Sequence, residues 1–277
     1  MPTPPRPSRP RRRFGQNFLI DTRAVERIVD ALDVGPGEVV VEIGPGRGIL
    51  TRALLDRGAR VTAVEIDRDL AAELDRELAP RGLDLHVGDA LELPWEDLPS
   101  LTRHPTPERV AVVGNLPYNI SKPIAMRMIE ACRTVSRAVF MFQSEVADRL
   151  TATPGGRDYG PLTVLAGRAY RIERSFDLAP GSFRPRPKVR STVTRWVPRD
   201  DLPSAGELGA LRDCLRACFA NRRKTLANNV RSALACDDRV AATILNEAGL
   251  DPGARAETVP PAGFVTLACA WPRPDPG

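Results

Sequence analysis

The fold class follows from residues 39–48, which read Val39-Val40-Val41-Glu42-Ile43-Gly44-Pro45-Gly46-Arg47-Gly48. The first five residues form a short apolar run that is typical of a buried parallel strand. Three spaced glycines then predict a turn, and residues 49–55 begin a helix. A glycine-rich turn between a strand and a helix lets a ligand approach the backbone closely. These residues therefore predict an α/β sheet with a ligand site at the end of this strand.

Strand and helix patterns alternate around this turn. An amphipathic helix is predicted at 21–32, with Asp21 as its cap. Further strands are predicted at 61–66, 83–87, 110–113 and 138–142, a closing pair of strands at 168–176 and 191–197, and C-terminal helices at 208–219, 225–233, 240–248 and 261–271. The pattern predicts a Rossmann-like α/β sheet followed by a small all-helical C-terminal domain.

Two acidic residues lie at the ends of predicted strands. Glu65 comes 21 residues after Gly44, and an acid at about that spacing holds a ribose diol in nucleotide-binding folds. Asp89 follows the next strand and can accept a hydrogen bond from the amino group of an adenine moiety. The spacing of Gly44, Gly46 and Gly48 departs from the dinucleotide pattern G-x-G-x-x-G, which weakens that alternative.

Candidate catalytic residues follow the strand at 110–113, in the run Asn115-Leu116-Pro117-Tyr118. An amino group conjugated to an aromatic ring is a poor nucleophile because its lone pair is delocalised. The Asn115 side-chain oxygen and the Leu116 carbonyl could accept hydrogen bonds from its two N–H groups and thereby localise that lone pair. Pro117 restricts Leu116 to extended conformations, and Tyr118 can stack on the base. The plainer alternative is a strand that ends in an Asx/Pro turn.

From about residue 11 to about residue 264, the chain resembles the ribosomal small-subunit adenine dimethyltransferases, the kasugamycin-sensitivity methyltransferase family. The resemblance is carried by Phe14-Gly15-Gln16-Asn17-Phe18-Leu19, Glu42-Ile43-Gly44-Pro45-Gly46, Asn115-Leu116-Pro117-Tyr118-Asn119-Ile120-Ser121, Gln143-Ser144-Glu145-Val146-Ala147, Phe183-Arg184-Pro185-Arg186-Pro187-Lys188-Val189 and Arg222-Arg223-Lys224-Thr225-Leu226. It implies a class I methyltransferase fold that uses S-adenosylmethionine. The implied substrate is a pair of adjacent adenines in the hairpin loop near the 3′ end of 16S rRNA, dimethylated in the 30S particle during small-subunit biogenesis.

The resemblance also implies a set of site residues. The cofactor would contact Asn17, Leu19, Gly44, Glu65, Asp89 and Asn115, and the predicted cofactor site further includes Gly46, Ile66 and Ala90. The predicted catalytic residues are Asn115, Leu116, Pro117 and Tyr118. Phe183 would cover the other face of the target base.

Charge is distributed unevenly along a chain whose formal net charge is +5. Residues 1–13 contain five arginines and no acid, and they predict a disordered basic arm. Residues 14–200 are predicted to form the methyltransferase domain and residues 201–277 a helical RNA-binding domain. Arg222, Arg223 and Lys224 are predicted to contact RNA phosphates. The alternative for these three residues is a solvated helix surface.

Other observations limit the class of protein. No apolar stretch has the length of a membrane span. The five cysteines form no paired framework, which fits a reducing compartment, and the two histidines complete neither a zinc set nor a catalytic triad. We therefore expect a cytoplasmic monomer without a metal.

Three other functions stay open. A macrolide-resistance methyltransferase acting on 23S rRNA shares the fold, although the Glu42–Gly46 and Asn115–Asn119 motifs favour the small-subunit enzyme. A ribosome-assembly factor without essential catalysis is another alternative, and the intact Asn115–Tyr118 and glycine motifs count against it. A DNA amino-methyltransferase has a related catalytic motif but usually carries a target-recognition domain, which the short helical C-terminal region does not resemble.

Overall fold

The structure of the chain is a computed structural model that describes residues 16–105 and 107–272. Contacts divide it into two compact units. The first unit runs to Ala147 and continues with Ile172–Pro198, whereas the second contains Asp148–Arg171 and continues from Arg199. The basic arm predicted for residues 1–13 lies outside the described residues.

The first unit is organised around a seven-stranded sheet. Its strands are β2 (Val39–Ile43), β3 (Arg60–Glu65), β4 (Asp84–Val87), β5 (Val110–Asn115), β6 (Val135–Gln143), β7 (Tyr170–Leu178) and β9 (Ser191–Pro198), in the spatial order β4-β3-β2-β5-β6-β9-β7. The pairs from β4 to β6 are parallel, and β9 is antiparallel to β6. The predicted α/β sheet is confirmed, with strand ends that differ from the predictions by a few residues.

The strands are buried because helices cover the sheet. Every residue of β2 is buried between β3 and β5, as expected for a strand in the middle of a parallel sheet. The helices of this unit are α1 (Thr22–Leu32), α2 (Ile49–Asp56), α3 (Arg68–Leu78), α4 (Ser121–Glu130) and the first part of α5 (Ser144–Leu150). The Asp21 side chain caps α1 by accepting from Arg23 N and Ala24 N, as predicted.

A two-stranded sheet that we did not predict joins β1 (Phe18–Leu19) to β8 (Phe183–Arg184). The pairing is antiparallel, and Leu19 lies opposite Phe183. The connection continues beyond the strands, because Ile20 N donates to Ser182 O at 2.9 Å and Ser182 Oγ donates to Asp21 Oδ2 at 3.0 Å. A segment near residue 183 thus holds the beginning of the described chain in place.

The second unit is helical. It contains α6 (Pro161–Ala169), α7 (Ala205–Cys218), α8 (Leu226–Leu234), α9 (Asp238–Glu247) and α10 (Pro261–Cys269). The rings of Tyr159 and Phe264 flank Phe219, at centroid distances of 6.3 and 5.4 Å, and Tyr159 Oη donates to Val259 O. Burial raises the pKa of Tyr159 to about 12, so its phenol is neutral.

Sequence reasoning missed α6. Its mostly apolar residues have no clear helical period, and the strand predicted from residue 168 begins at Tyr170 instead. Because α6 packs against α7 and α10, residues 148–171 group with the C-terminal helices. The division into functional domains at 14–200 and 201–277 stays a prediction. Within the described ranges, no helix combines the length and the apolar character that crossing a membrane requires.

Candidate active site

A cavity of about 210 Å³ opens where β2, β3, β4 and β5 end in the first unit. Every residue predicted for the cofactor or for catalysis lines it: Asn17, Leu19, Gly44, Gly46, Glu65, Ile66, Asp89, Ala90, Asn115, Leu116, Pro117 and Tyr118. The carboxyl ends of parallel strands meet at one edge of a sheet, which explains why residues distant in sequence gather there. Their individual roles stay predictions.

The glycine turn presents bare backbone to this cavity. Gly44 and Gly46 have φ values of 67° and 58°, which side chains rarely adopt. A Cβ on Gly46 would lie 3.0 Å from Phe18 Cδ1, whereas one on Gly44 would meet no atom within 4 Å. Space is therefore available beside Gly44 for a ligand to contact the main chain.

Glu65 lies at the end of β3 and is only 4% exposed. Its Oε2 accepts from Gly46 N at 3.0 Å and its Oε1 accepts from Asp67 N at 2.9 Å. Burial raises the pKa of Glu65, and these two N–H groups oppose that effect. A carboxylate has about four lone-pair sites, so Glu65 is held by the backbone and can still accept hydroxyl groups from a ligand.

Asp89 is half-buried at the cavity wall. Its Oδ1 accepts from Leu91 N at 2.9 Å, which orients the carboxylate at the start of a short 3₁₀ helix. The exposed Ile66 follows Glu65. A flat ring could lie on Ile66 while its amino group donates a hydrogen bond to Asp89. These two contacts are the ones predicted for an adenine group.

Glu42 is a cavity residue to which the sequence assigned no role. It is 1% exposed, and its Oε2 accepts from Thr51 Oγ1 at 2.6 Å. Burial raises the pKa of Glu42 to about 7, against the Thr51 hydrogen bond that lowers it. Its position at the end of a fully buried strand was the signal that could have identified it.

Asn115 is fixed by the first described residues of the chain. Its Nδ2 donates to Asn17 O at 2.9 Å. This bond fixes the orientation of the amide, and its oxygen has no hydrogen-bond partner among the described residues, so it can accept from a ligand. Leu116, which follows it, is buried, and Pro117 O accepts from Ile120 N at 3.1 Å to close the turn. The turn expected from an Asx/Pro sequence is thus present, and Asn115 and Leu116, which precede it, line the cavity.

Tyr118 completes this side of the cavity. Its hydroxyl lies 3.0 Å from Ser191 Oγ, the first residue of β9. Burial raises the pKa of Tyr118, with the Ser191 hydrogen bond acting in the other direction. A neutral, partly exposed phenol held at its hydroxyl end leaves the ring available for stacking.

The structure does not bring Phe183 to the cavity. Phe183 is 2% exposed and belongs to the hydrophobic core cluster that also contains Leu19 and Ile28. A side chain that is covered by its own protein offers no face to a base, so the predicted stacking role is not supported by this arrangement.

The three predicted RNA contacts lie in the second unit, in the loop before α8. Arg222 is tied to its own unit, because it donates to Arg157 O at 3.0 Å and lies 3.5 Å from Glu257 Oε2. Arg223 and Lys224 are exposed, and neither side chain has a hydrogen bond or ion pair with another described residue. Two of the three cations are therefore available to an external anion.

Additional cavity residues belong to motifs already noted. Phe18 and Gln16 flank Asn17. The Arg47 guanidinium lies 4.9 Å from the centre of the Phe18 ring. Gln16 Nε2 lies 3.5 Å from Asp67 Oδ2. In the part of the chain that the structure describes, no cluster of His, Cys, Asp and Glu could hold a metal ion.

Comparisons with known proteins match most of the chain. A sequence profile described as ribosomal RNA adenine dimethylase matches residues 8–269. The ribosomal RNA small subunit methyltransferase A of Methylococcus capsulatus is 44% identical over 93% of this chain and 96% of its own length. The protein of the same name from Laribacter hongkongensis is 45% identical over 93% and 94%.

Solved structures give the same fold. The 23S rRNA methyltransferase ErmE superposes with a TM-score of 0.68 at 30% identity, covering 92% of this chain and 99% of that one. A dimethyladenosine transferase from Plasmodium falciparum has a TM-score of 0.74 at 23% identity, covering 90% and 95%. The chain therefore belongs to the ribosomal RNA adenine dimethylase family, a family of S-adenosylmethionine-dependent methyltransferases with the α/β class I fold.

Proposed function

We propose that this chain dimethylates the N6 amino groups of two adjacent adenines in the hairpin loop near the 3′ end of 16S rRNA. The substrate is the 30S subunit or its precursor, and the methyl donor is S-adenosylmethionine. The observation that carries the proposal is the Asn115 amide, anchored through Nδ2 to Asn17 O beside the Leu116 carbonyl. That pair of acceptors suits an aromatic amino group.

The cavity fits the cofactor. Glu65 can accept the ribose hydroxyls, Asp89 the adenine amino group, and the open space at Gly44 admits close backbone contact. S-Adenosylmethionine supplies an electrophilic methyl group on a sulfonium when it is bound. Asn17 and Leu19 lie on the side of the cavity that is closed by the β1–β8 pairing.

The target adenine must leave its stack to reach this cavity. Asn115 Oδ1 and Leu116 O then accept its two amino hydrogens, which localises the nitrogen lone pair, and the Tyr118 ring stacks on the base. The proton becomes acidic once the nitrogen is alkylated, so no strong general base is required. Catalysis depends mainly on positioning and electrostatics.

RNA affinity is expected to come from phosphate contacts. Arg223 and Lys224 are exposed cations of the helical unit, and contacts of this type position a protein without reading sequence. An enzyme with this substrate acts where ribosomes assemble, so we expect a cytoplasmic protein. A monomer is sufficient, because the described residues of one chain supply the whole cavity lining.

A second candidate is methylation of 23S rRNA, which the 30% identity to ErmE favours. The relatives named for the small subunit are more similar, at 44% and 45% identity, and they support the 16S substrate. An assembly factor without catalysis is less well supported, because all predicted catalytic residues line the cavity.

Tritiated-methyl transfer tests the proposal. The wild-type chain should label 30S particles that lack the modification, and it should label neither 50S particles nor free DNA. Nuclease digestion of the labelled 30S RNA should yield dimethyladenosine. Label in 50S particles alone would replace the 16S substrate with 23S rRNA, and cofactor binding without transfer to any rRNA would favour the assembly factor.

A further inference from the structure

Four basic side chains alternate from Arg184, the last residue of β8, to Arg190, the residue before β9. They are Arg184, Arg186, Lys188 and Arg190, and we call residues 184–190 the basic loop. All four are exposed, and no hydrogen bond or ion pair links their side chains to other described residues. Many surface arginines elsewhere are paired: Arg52 lies 2.6 Å from Glu77 and Arg81 lies 2.6 Å from Asp56. The basic loop thus concentrates positive charge that its own protein does not neutralise.

Both ends of the basic loop are attached to the rim of the cavity. At one end, Arg184 pairs with the cavity residue Phe18 in the β1–β8 sheet. At the other end, Ser191 follows Arg190 and hydrogen bonds to the Tyr118 hydroxyl. The Arg190 carbonyl is itself held by Ser144, whose N donates to it at 3.1 Å. The loop is therefore fixed beside the residue that is proposed to stack on the target base.

The backbone of the basic loop is restricted. Arg184 and Arg186 each precede a proline, which biases them toward extended conformations, and neither proline can donate a backbone hydrogen bond. Pro187 is buried while the basic residues on both sides of it are exposed. A loop that is already ordered loses less entropy when it binds than a mobile one would.

We propose that the basic loop binds the RNA phosphates that flank the target adenine and thereby holds the strand while the base is flipped into the cavity. The inference rests on the proposed function. It follows from charge complementarity: a flipped base is attached to a polyanionic backbone, and that backbone must pass the rim at Tyr118. The contacts would position the RNA without reading its sequence.

The test compares two double variants that remove the same charge. Arg186→Gln/Lys188→Gln alters the basic loop. Arg60→Gln/Arg109→Gln alters two exposed arginines, the first residue of β3 and the residue before β5, at the edge of the sheet opposite the cavity. Affinity for unmodified 30S particles is measured between 50 and 200 mM salt, together with cofactor affinity and thermal stability.

Each lost single-strand phosphate contact should reduce the slope of log affinity against log salt by about 0.7. For two contacts, the fourfold rise in salt should therefore weaken the basic-loop variant about sevenfold less than wild type. The control variant should keep the wild-type slope, and both should keep wild-type cofactor affinity. Single Arg186→Gln and Lys188→Gln variants, each with half the slope change, provide the same test if the double variant is unstable.

A wild-type slope in the basic-loop variant would overturn the proposal. An equal change of slope in the control variant would also overturn it, because the effect would then come from the overall charge of the protein and not from the basic loop. Methylation of 30S particles by wild type is measured in the same preparation. Failure of that reaction would contradict the proposed function, whereas failure of the slope change alone would contradict the basic-loop proposal.

Discussion

Replacing Asn115 by alanine tests the centre of the proposed mechanism. The side chain makes one hydrogen bond within the described protein, from Nδ2 to Asn17 O, so its loss should cost about 1 kcal/mol of folding stability. In the proposed mechanism, the lost amide oxygen is an acceptor that acts on developing charge in the transition state. Removing such a group commonly lowers kcat by about 10²–10³-fold, or about 3–4 kcal/mol. The effect on turnover should therefore greatly exceed the effect on folding.

Single-turnover methyl transfer to unmodified 30S particles measures this difference, with thermal unfolding measured on the same sample. Calorimetry should show a modest loss of cofactor affinity, because Asn115, which lines the cavity, is also predicted to contact the cofactor. Asn246→Ala, the same change on an exposed position of α9, serves as the matched control. A folded Asn115→Ala variant that turns over within a few-fold of wild type would refute the acceptor role.

Further predictions concern Glu65, Glu42 and the three cations before α8. Glu65→Ala should weaken cofactor binding by about 1.5–3 kcal/mol while leaving RNA affinity nearly unchanged; unchanged calorimetric affinity would remove Glu65 from the site. Because folding raises the pKa of Glu42 to about 7, its contribution to stability is present at low pH and lost as pH rises from about 4.5 through 7. Denaturant unfolding should show Glu42→Gln gaining roughly 2–3 kcal/mol relative to wild type between pH 5 and pH 8; an equal difference at both pH values would contradict this. Arg223→Ala/Lys224→Ala should reduce the salt slope of 30S binding by about 0.7–0.9 per lost phosphate contact without lowering the Tm. Arg222→Ala should lower the Tm, because Arg222 bonds within its unit. An unchanged Tm in Arg222→Ala, with a lowered Tm in Arg223→Ala/Lys224→Ala, would show that the Arg222 contacts do not stabilise the unit.

The sheet and most of the cavity were predictable because their signals are local. A continuous apolar run such as 39–43 indicates a buried strand wherever it occurs, and parallel strands bring their carboxyl ends together. Asn115 and Glu65 could therefore be placed in one site from their positions at the ends of predicted strands, without knowledge of any contact between them.

The remaining features depend on tertiary contacts that leave little trace in sequence. The β1 and β8 strands have two residues each, too few for a periodic pattern, and they pair across most of the chain. Arg222 was grouped with Arg223 and Lys224 because the three cations are adjacent in sequence. Its contacts with Arg157 and Glu257 nevertheless give it a different environment. Phe183 was expected to cover the target base because of its motif, and its burial in the core leaves no exposed face for that contact.

The pairing of β1 with β8 also has a consequence for the order of folding. Ser182 and Asp21, which hydrogen bond next to this pairing, are 161 residues apart in the chain. Asn17 and Leu19 reach their cavity positions only when that late segment is available to hold them. Contacts of such high sequence separation form after local ones, because closing the long loop is entropically unfavourable. A chain emerging from the ribosome should therefore build the parallel strands first and gain cofactor affinity only after residue 184 has left the exit tunnel, so ligand binding would report that synthesis has passed this point.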